Sequence, residues 1–554
     1  MNAYLIENIE EIKNLKLKKN DTLLCHNLVT YYKVRRKKKY FFSLNQKEKK
    51  KFINDIILKW YVDNKGATRY NYKGYSIPKI LNRSVIFSFL NDIKNYIYLK
   101  YWLKKYKYIY LSKYSCSSLL RVKPFFKNLL FIKNNKFLDK TVIPSTPERK
   151  FYFFQKKNFF KKLFYFLDKI KSYKNQKIFG FKDTKHNEAF RKNKNILILN
   201  NKNFLKGYYV NDKISIKNFL PNKIKIDKSL FINNILKKNF PNDYKNILYL
   251  FEKNFNNHLL ENKTIIQKTI NAFEDAIKVY NPTSIILNGT VDWFNSILIF
   301  MSKKYKLKTY LILEGFHIFK DEKDIPRLNK KLLIDYYIAY GSAHKEVLKS
   351  HKIANERIFN VESIFLKKDN KKKINHYDAC LMCYNPWLFN LNTTWDSQIL
   401  TELEVLKIFQ KLGLKKILIK KKLSSQLKST TENRSIEIYQ FLFEIIYKEK
   451  LKLSITINNN IMNNVVELPR IIVGGISTAI FEANNITDYY IYEPKRNGYS
   501  QSEFKTITSF DKKYINKTPL ELFKNIKKKN FTKLKSNSLE KEISFSEIFN
   551  TNAQ

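Results

Sequence analysis

Arg470-Ile-Ile-Val-Gly-Gly-Ile-Ser-Thr-Ala-Ile-Phe-Glu-Ala-Asn484 is the stretch around which the fold is read. Ile471 to Val473 form a short apolar run that meets Gly474-Gly475. Ser477 and Thr478 follow, then a helix-like segment carrying Glu482. A second apolar run, Tyr489 to Tyr492, ends in Glu493-Pro494. The pattern predicts strand, glycine turn, helix, strand, which is half of a nucleotide-binding α/β unit. Such a turn gathers backbone N–H groups, two hydroxyls and a helix N-terminus at one point, an arrangement that suits phosphate. The same residues also describe a plain turn with a Ser or Thr N-cap.

Working outward, strand and helix patterns alternate from about residue 280. Asn281-Pro-Thr-Ser-Ile-Ile-Leu-Asn-Gly289 reads as a turn, a strand and a glycine, and Trp293 to Lys304 as a helix. Strands are predicted at Leu307 to Leu313, which stops at Glu314-Gly315-Phe-His317, at Ile334 to Tyr340, and at Arg357 to Val361. His344 to His351 reads as a helix. The charged run Lys367 to Lys373 reads as a linker. Beyond it come strands at Tyr377 to Tyr384, Lys416 to Lys420 and Leu453 to Ile457, with helices at Ser397 to Leu412 and Ile436 to Lys448. This spacing means βαβ units and parallel sheets. The fold class expected is α/β: two Rossmann-like domains facing across a cleft, with a helix-rich N-terminal part. The domain bounds expected are 1–366, 374–535 and a tail, 536–554.

The first third is less regular. Asp21 to Asn27 has the make-up of a first strand, Arg35 to Lys39 is a basic run, and Gln46 to Tyr61 has helical character. Ser84 to Tyr106 and Phe151 to Lys171 repeat apolar residues at three and four, as amphipathic helices do. Such helices either face a core or lie on a membrane surface with Lys snorkelling around Phe and Tyr. Asn193 to Asn200 has a buried-strand pattern, Lys228 to Ala276 is helical in period, and the tail from Pro519 to Phe549 looks helical and charged.

Composition narrows the function. At 554 residues with 44% hydrophobic and 15% aromatic content, the chain has the material for several cores and is not a disordered polyelectrolyte. With 105 Lys and Arg against 48 Asp and Glu, the net charge is +57, a field that attracts nucleic acid, anionic lipid or phosphorylated substrates. Part of that charge is compositional, since the chain is rich in Lys, Asn, Ile, Phe and Tyr and holds few Gly (11) and Pro (12). Four cysteines exclude a disulfide scaffold. Cys380 and Cys383 form a lone CxxC inside an apolar strand with no second pair or His to complete a zinc site, and read as core residues. The N-terminus carries acids where a signal peptide needs an apolar region, and no window reaches the ~18 apolar residues of a membrane span. A cytoplasmic protein, peripheral on the inner face of the membrane, is expected.

Ile285 to Gly289, Leu311-Ile-Leu-Glu-Gly315, Asp335 to Gly341 and Gly475-Ile-Ser-Thr-Ala-Ile-Phe-Glu-Ala483, in that order, resemble the GT-B glycosyltransferases of bacterial surface polysaccharide and lipooligosaccharide synthesis, sialyltransferase-like and capsule-type members included. About a fifth of the chain carries the likeness. The resemblance implies that Ser477 and Thr478 hold the donor phosphate beside Gly474 and Gly475, and that Glu482 bonds the nucleotide ribose. It implies Glu314 as general base, because an acceptor hydroxyl must lose its proton as it attacks the anomeric carbon. His317, three residues on, is the competing base or an acceptor-orienting group. Asn288-Gly289 with Asp292 and Trp293 are placed for acceptor contact, and Asp335 reads as a strand-start residue. The His-Pro pair of the sialyltransferase-like members is absent; Ile419-Lys-Lys-Lys-Leu423 stands there, so Lys420 or Lys422 is the candidate for the nucleotide phosphate. Retaining members carry two glutamates eight apart; position 474 is Gly, which points to inversion.

The expected activity is therefore metal-independent transfer of a sugar from a CMP- or UDP-linked nucleotide-sugar donor to a glycan acceptor, lipid-linked or otherwise, at anionic inner-leaflet lipid, with no cofactor and no metal. Two alternatives stand beside it. One is a nucleic-acid-binding protein using the Lys-aromatic surface of residues 84–171. The other is a nucleotide-sugar epimerase, which shares the two-Rossmann layout and needs no acceptor.

Overall fold

The computed structural model describes residues 1–43 (save 8), 70–112, 117–132, 178–181, 196–199, 225–287 (save 229), 293–312, 334–340, 353–361, 374–384, 395–420, 435–458, 467–475, 487–494 and 514–532, with a few single positions besides. These residues build three parallel sheets.

The first sheet comes from the least regular part of the sequence. Strands β1 (Asn2–Ile6), β2 (Thr22–Cys25) and β3 (Lys38–Tyr40) run outward to one side. After the small antiparallel hairpin β4 (Asn71–Tyr72) and β5 (Tyr75–Ser76), strands β6 (Tyr108–Leu111) and β7 (Leu129–Phe131) add to the other side. The order is β3-β2-β1-β6-β7, all parallel. The expected first strand at Asp21 to Asn27 is real but second in line. The stretch with acids near the N-terminus supplies the central strand, because Ala3, Leu5 and Ile6 are fully buried and the acids begin only at Glu7.

The second sheet has the order β13-β12-β11-β10-β8-β9, from β8 (Ile178–Phe181), β9 (Ile196–Leu199), β10 (Ser284–Leu287), β11 (Lys308–Ile312), β12 (Tyr336–Tyr340) and β13 (Ile358–Val361). The third has the order β16-β15-β14-β17-β18-β19, from β14 (Ile374–Met382), β15 (Lys416–Lys420), β16 (Ser454–Asn458), β17 (Glu467–Gly474), β18 (Asp488–Tyr492) and β19 (Ile515–Asn516). Numbered within the sheet this is 3-2-1-4-5-6, the Rossmann order. The α/β class with Rossmann-like parallel sheets is thus as the sequence predicts. Residues 1–366 contain two such sheets, where the sequence suggested one with helical insertions.

Besides the short helix Ser117–Val122, the helices that pack on these sheets and join them are α1 (Leu28–Lys33), α2 (Ile77–Leu103), α3 (Phe231–Asn239), α4 (Tyr244–Tyr280), α5 (Trp293–Lys304), α6 (Trp395–Lys411), α7 (Ile436–Tyr447) and α8 (Pro519–Lys527). Helix α2 starts where Ser76 Oγ accepts from Lys79 N and Pro78 occupies the first turn, a position that needs no N–H. Its apolar stripe, Ile77, Ile80, Leu81, Val85, Phe89, Ile93 and Leu99 among others, is buried. Each such side chain is worth about 2 kcal/mol inside. The helix therefore belongs to the core and not to a membrane surface. Its partner α4 ends at Asn281, whose left-handed φ of 43° and N–H bond to Ile277 O cap the helix before Pro282.

One hydrophobic core runs from the first sheet through α2 and α4 to Ile285, Leu311 and Tyr337 of the second. The third sheet has its own core with α6, α7 and α8. Helix α1 bridges the two: Val29 and Tyr32 pack on the third sheet's core, and Lys33 Nζ lies 5.3 Å from the Phe441 ring centre. Asp396, in the first turn of α6, accepts from Leu28 N at 3.1 Å and from Tyr40 Oη at 2.8 Å. No helix among the described residues is long and apolar enough to cross a membrane.

Candidate nucleotide site

In a sheet of Rossmann order the direction of winding reverses between the first and fourth strands, so the loops leaving those strands diverge and open a crevice. Here the two strands are β14 and β17. Their register sets Cys380 beside Ile472 and Leu381 beside Val473, so the crevice opens past Met382 and Gly474. The next pairings set Met382 beside Lys420 and Gly474 beside Ile491. Gly474, Gly475 and Lys420 therefore end on the same carboxyl edge. Lys420 is two strand spacings from Gly474, about 10 Å.

Space requires the first of the two glycines and crowds the second. A Cβ on Gly474 would lie 2.5 Å from Tyr489 Oη and 2.7 Å from Met382 Cβ. One on Gly475 would lie 2.5 Å from Glu493 Oε1 and 3.1 Å from Tyr384 Cε1. Neither has the left-handed backbone seen at Gly74 and Gly413. The sequence suggested that glycine lets the chain turn and a ligand approach; in the structure the close packing of β14, β17 and β18 excludes a side chain at Gly474, while at Gly475 one would have to displace the Glu493 carboxylate.

The floor of the edge is a network of buried polar groups. Tyr384 Oη donates to Tyr492 O at 2.8 Å, and Tyr384 N donates to Glu402 Oε1 at 2.9 Å. Tyr439 Oη donates to Glu402 Oε2 at 2.7 Å, and Tyr489 Oη donates to Gly475 O at 2.9 Å. Burial, with the carboxylates of Glu493 and Glu402 nearby, holds the Tyr384 phenol well above its usual range, so it stays protonated and serves as a donor. Glu493 is 2% exposed at the end of β18, beside Gly475, and Lys420 is 8% exposed at the end of β15. The edge thus holds the buried Lys420 on one side of the crevice and the buried Glu493 on the other. A phosphate is matched by the first and a sugar hydroxyl by the second.

Of the residues singled out from sequence, Gly474, Gly475 and Lys420 are brought to this edge. Ser477, Thr478 and Glu482, and the candidate bases Glu314 and His317, lie outside the described residues, as do Asn288, Gly289 and Asp292. Trp293 is buried in the first turn of α5. Asp335 is the strand-start residue expected: its Oδ2 accepts from Thr309 N at 2.7 Å and Thr309 Oγ1 at 2.9 Å, tying β12 to β11. Cys380 is fully buried and burial pushes its thiol up to about 12, a core residue as read from sequence. No group of metal-ligating side chains occurs among the described residues. Sequence reasoning missed Tyr384, Glu402 and Glu493 as parts of the site. The available signal was Glu493-Pro494 directly after an apolar strand.

No family model and no curated protein matches the chain. Among solved structures it is similar to UDP-GlcNAc 2-epimerase from Neisseria meningitidis, with 10% identity over 63% of this chain and 90% of that one and a TM-score of 0.36. It is similar to the same enzyme from Methanocaldococcus jannaschii, with 14% identity over 52% and 80% and a TM-score of 0.35. A glycosyltransferase from Rickettsia africae aligns at 15% identity over 42% and 62%, with a TM-score of 0.28. At these identities and TM-scores the likenesses do not bear on what the chain does; its α/β class rests on its own parallel sheets and their order.

Proposed function

We propose that the chain is a glycosyltransferase that takes a nucleotide sugar, CMP- or UDP-linked, at the carboxyl edge of the third sheet and passes the sugar to a glycan acceptor. The observation that carries the reading is the meeting, at one topological switch point, of Gly474-Gly475 with buried Lys420 and Glu493. Lys420 and the backbone leading into Ser477 and Thr478 receive the phosphates, and Glu493 or Glu482 the ribose hydroxyls. Transfer, inversion and the base, Glu314 or His317, come from the sequence resemblance, as does a lipid-linked acceptor. In that role the base removes the acceptor proton as the oxygen attacks the anomeric carbon, and the leaving nucleotide's charge is met by Lys420 and N–H groups.

The test is a thermal-shift panel of CMP, CDP, UDP, GDP and ADP, followed by incubation with the matching nucleotide sugar. One nucleotide at ~100-fold excess over its dissociation constant stabilises by ~2.7 kcal/mol, a rise of a few degrees. Lys420→Ala, or Ser477→Ala with Thr478→Ala, weakens that nucleotide at least tenfold, about 1.4 kcal/mol. No shift with any nucleotide defeats the site. A shift followed by isomerisation of the donor sugar without an acceptor replaces transfer by epimerisation.

A further inference from the structure

In a parallel sheet all strands begin on one edge and end on the other, so the loops entering the strands share a surface. For the first sheet that surface is cationic. Lys107 N donates to Met1 O, Lys37 Nζ reaches Met1 Sδ at 3.5 Å, and Ile109 N donates to Asn128 O, which ties the entries to β1, β3, β6 and β7 into one row. Exposed on it are Lys18 and Lys19 before β2, Arg35 and Arg36 before β3, and Lys104 and Lys105 before β6. Asp21 is the one acid in the described loops that enter these strands, and its carboxylate is engaged by Lys18 N at 2.9 Å. The acids of this part of the sheet, Glu7, Glu10 and Glu11, follow β1 directly at its other end. Six exposed cations against one engaged acid exceed the ratio of 105 to 48 in the chain as a whole.

We infer that this edge is a docking surface for an anionic lipid bilayer. Five strands at ~4.8 Å spacing make a row about 20 Å long, and the screening length at physiological salt is ~8 Å. Neighbouring cations therefore act on a planar anionic surface as one field, where each contributes about 1 kcal/mol. Single-stranded nucleic acid fits the surface less well, because it needs open aromatic faces for base stacking. Two of the rings here each have a lysine over one face: Lys105 Nζ lies 4.4 Å from the Tyr101 centre and Lys107 Nζ 5.6 Å from the Tyr108 centre. Orientation is set by the contacts. The third sheet's unit is docked through Leu28 and Tyr40, which lie at the carboxyl ends of β2 and β3. The cationic edge is the other end of the same strands, so lipid contact there leaves that unit unobstructed. The inference goes beyond the nucleotide reading and stands without it.

The experiment is co-sedimentation of the full chain with phosphatidylcholine vesicles, with and without phosphatidylserine, at physiological ionic strength. Two variants are compared. One carries Lys18, Lys19, Arg35, Arg36, Lys104 and Lys105 each changed to Gln. The other carries the same change at six exposed lysines elsewhere: Lys237, Lys238, Lys245, Lys411, Lys524 and Lys528. The expected result is binding only with phosphatidylserine, lost at least about tenfold in the first variant and little changed in the second. Equal loss in both variants would assign the binding to total charge and overturn the proposal. So would an absence of vesicle binding by the unaltered chain, or tighter binding of a short single-stranded RNA that the first variant loses. Nucleotide thermal shifts of the first variant, which leaves the third sheet untouched, separate failure of this surface from failure of the nucleotide site.

Discussion

Single residues carry two of the sharpest expectations. Gly474→Ala places a methyl group against Tyr489 Oη and Met382 Cβ, and the second cannot swing away because it is fixed to a strand backbone. Overpacking of this kind costs about 1–3 kcal/mol, so urea denaturation should show a lower midpoint with an unchanged slope. A stability equal to that of the unaltered chain would mean that β14 and β17 are not in contact at their ends. The second concerns Glu11, 4% exposed, which accepts from Glu7 N at 3.2 Å. Burial first, and the Glu7 carboxylate second, push its carboxyl up to about 8 from a usual 4.5, while the Glu7 N–H opposes them. The native state therefore keeps a proton that the unfolded chain has lost, so stability falls as pH rises between about 4.5 and 8. Glu11→Gln retains an acceptor and cannot ionise. Its melting temperature should fall less than that of the unaltered chain between pH 5 and pH 8; parallel falls would show that Glu11 is not buried as described.

Among elements, two carboxylates hold the starts of strands by the same device. Asp335 accepts from Thr309 N, and Asp378 accepts from both Lys415 N and Lys416 N, at 2.8 and 3.0 Å. Backbone hydrogen bonds to Asp378 are the main reason its carboxyl stays below its usual range. The alternation pattern located these strands, but nothing in it identifies which Asp binds a neighbour. The helices depend on a longer-range pair. Asp92 of α2 is fully buried and receives Arg121 through two bonds of 2.8 Å and Asn254 of α4 through one. Removing one partner of such a pair leaves a buried charge and costs about 3–5 kcal/mol. Asp92→Ala should therefore lower the melting temperature far more than Arg121→Met combined with Asp92→Leu. If the single change is the milder, the pair is not what holds the short helix Ser117–Val122 on α2.

For the molecule as a whole, the joint between the N-terminal sheets and the third sheet rests on α1 and Asp396. Burial pushes the Asp396 carboxyl up to about 6, with the bonds from Tyr40 and Leu28 N and the charge of Lys94 opposing. Asp396→Ala should raise hydrogen exchange in Leu28–Lys33 and in the first turn of α6 while leaving the strands of both bodies protected; unchanged exchange would place the joint elsewhere. Much of this architecture is legible in the sequence. Alternating apolar runs placed the strands from β9 to β18 and the long helices, since side-chain burial writes its period directly into the sequence. Gly474 and Gly475 stand out by their motif and Lys420 by its place where the His-Pro pair is absent, and the structure sets the three on one edge. The central strand β1 was missed because five residues beside an acidic turn carry too little pattern, and only a sheet formed with β2 and β6 buries them. Glu493 and Glu402 were missed because a carboxylate looks the same in sequence whether solvated or buried. What the sequence determined by itself is therefore local: which segments are strand or helix, and that the chain alternates them. Strand order, the two sheets before residue 366, the cationic edge of the first sheet and the joint at Asp396 were decided by tertiary structure, because each depends on contacts between residues far apart in the chain.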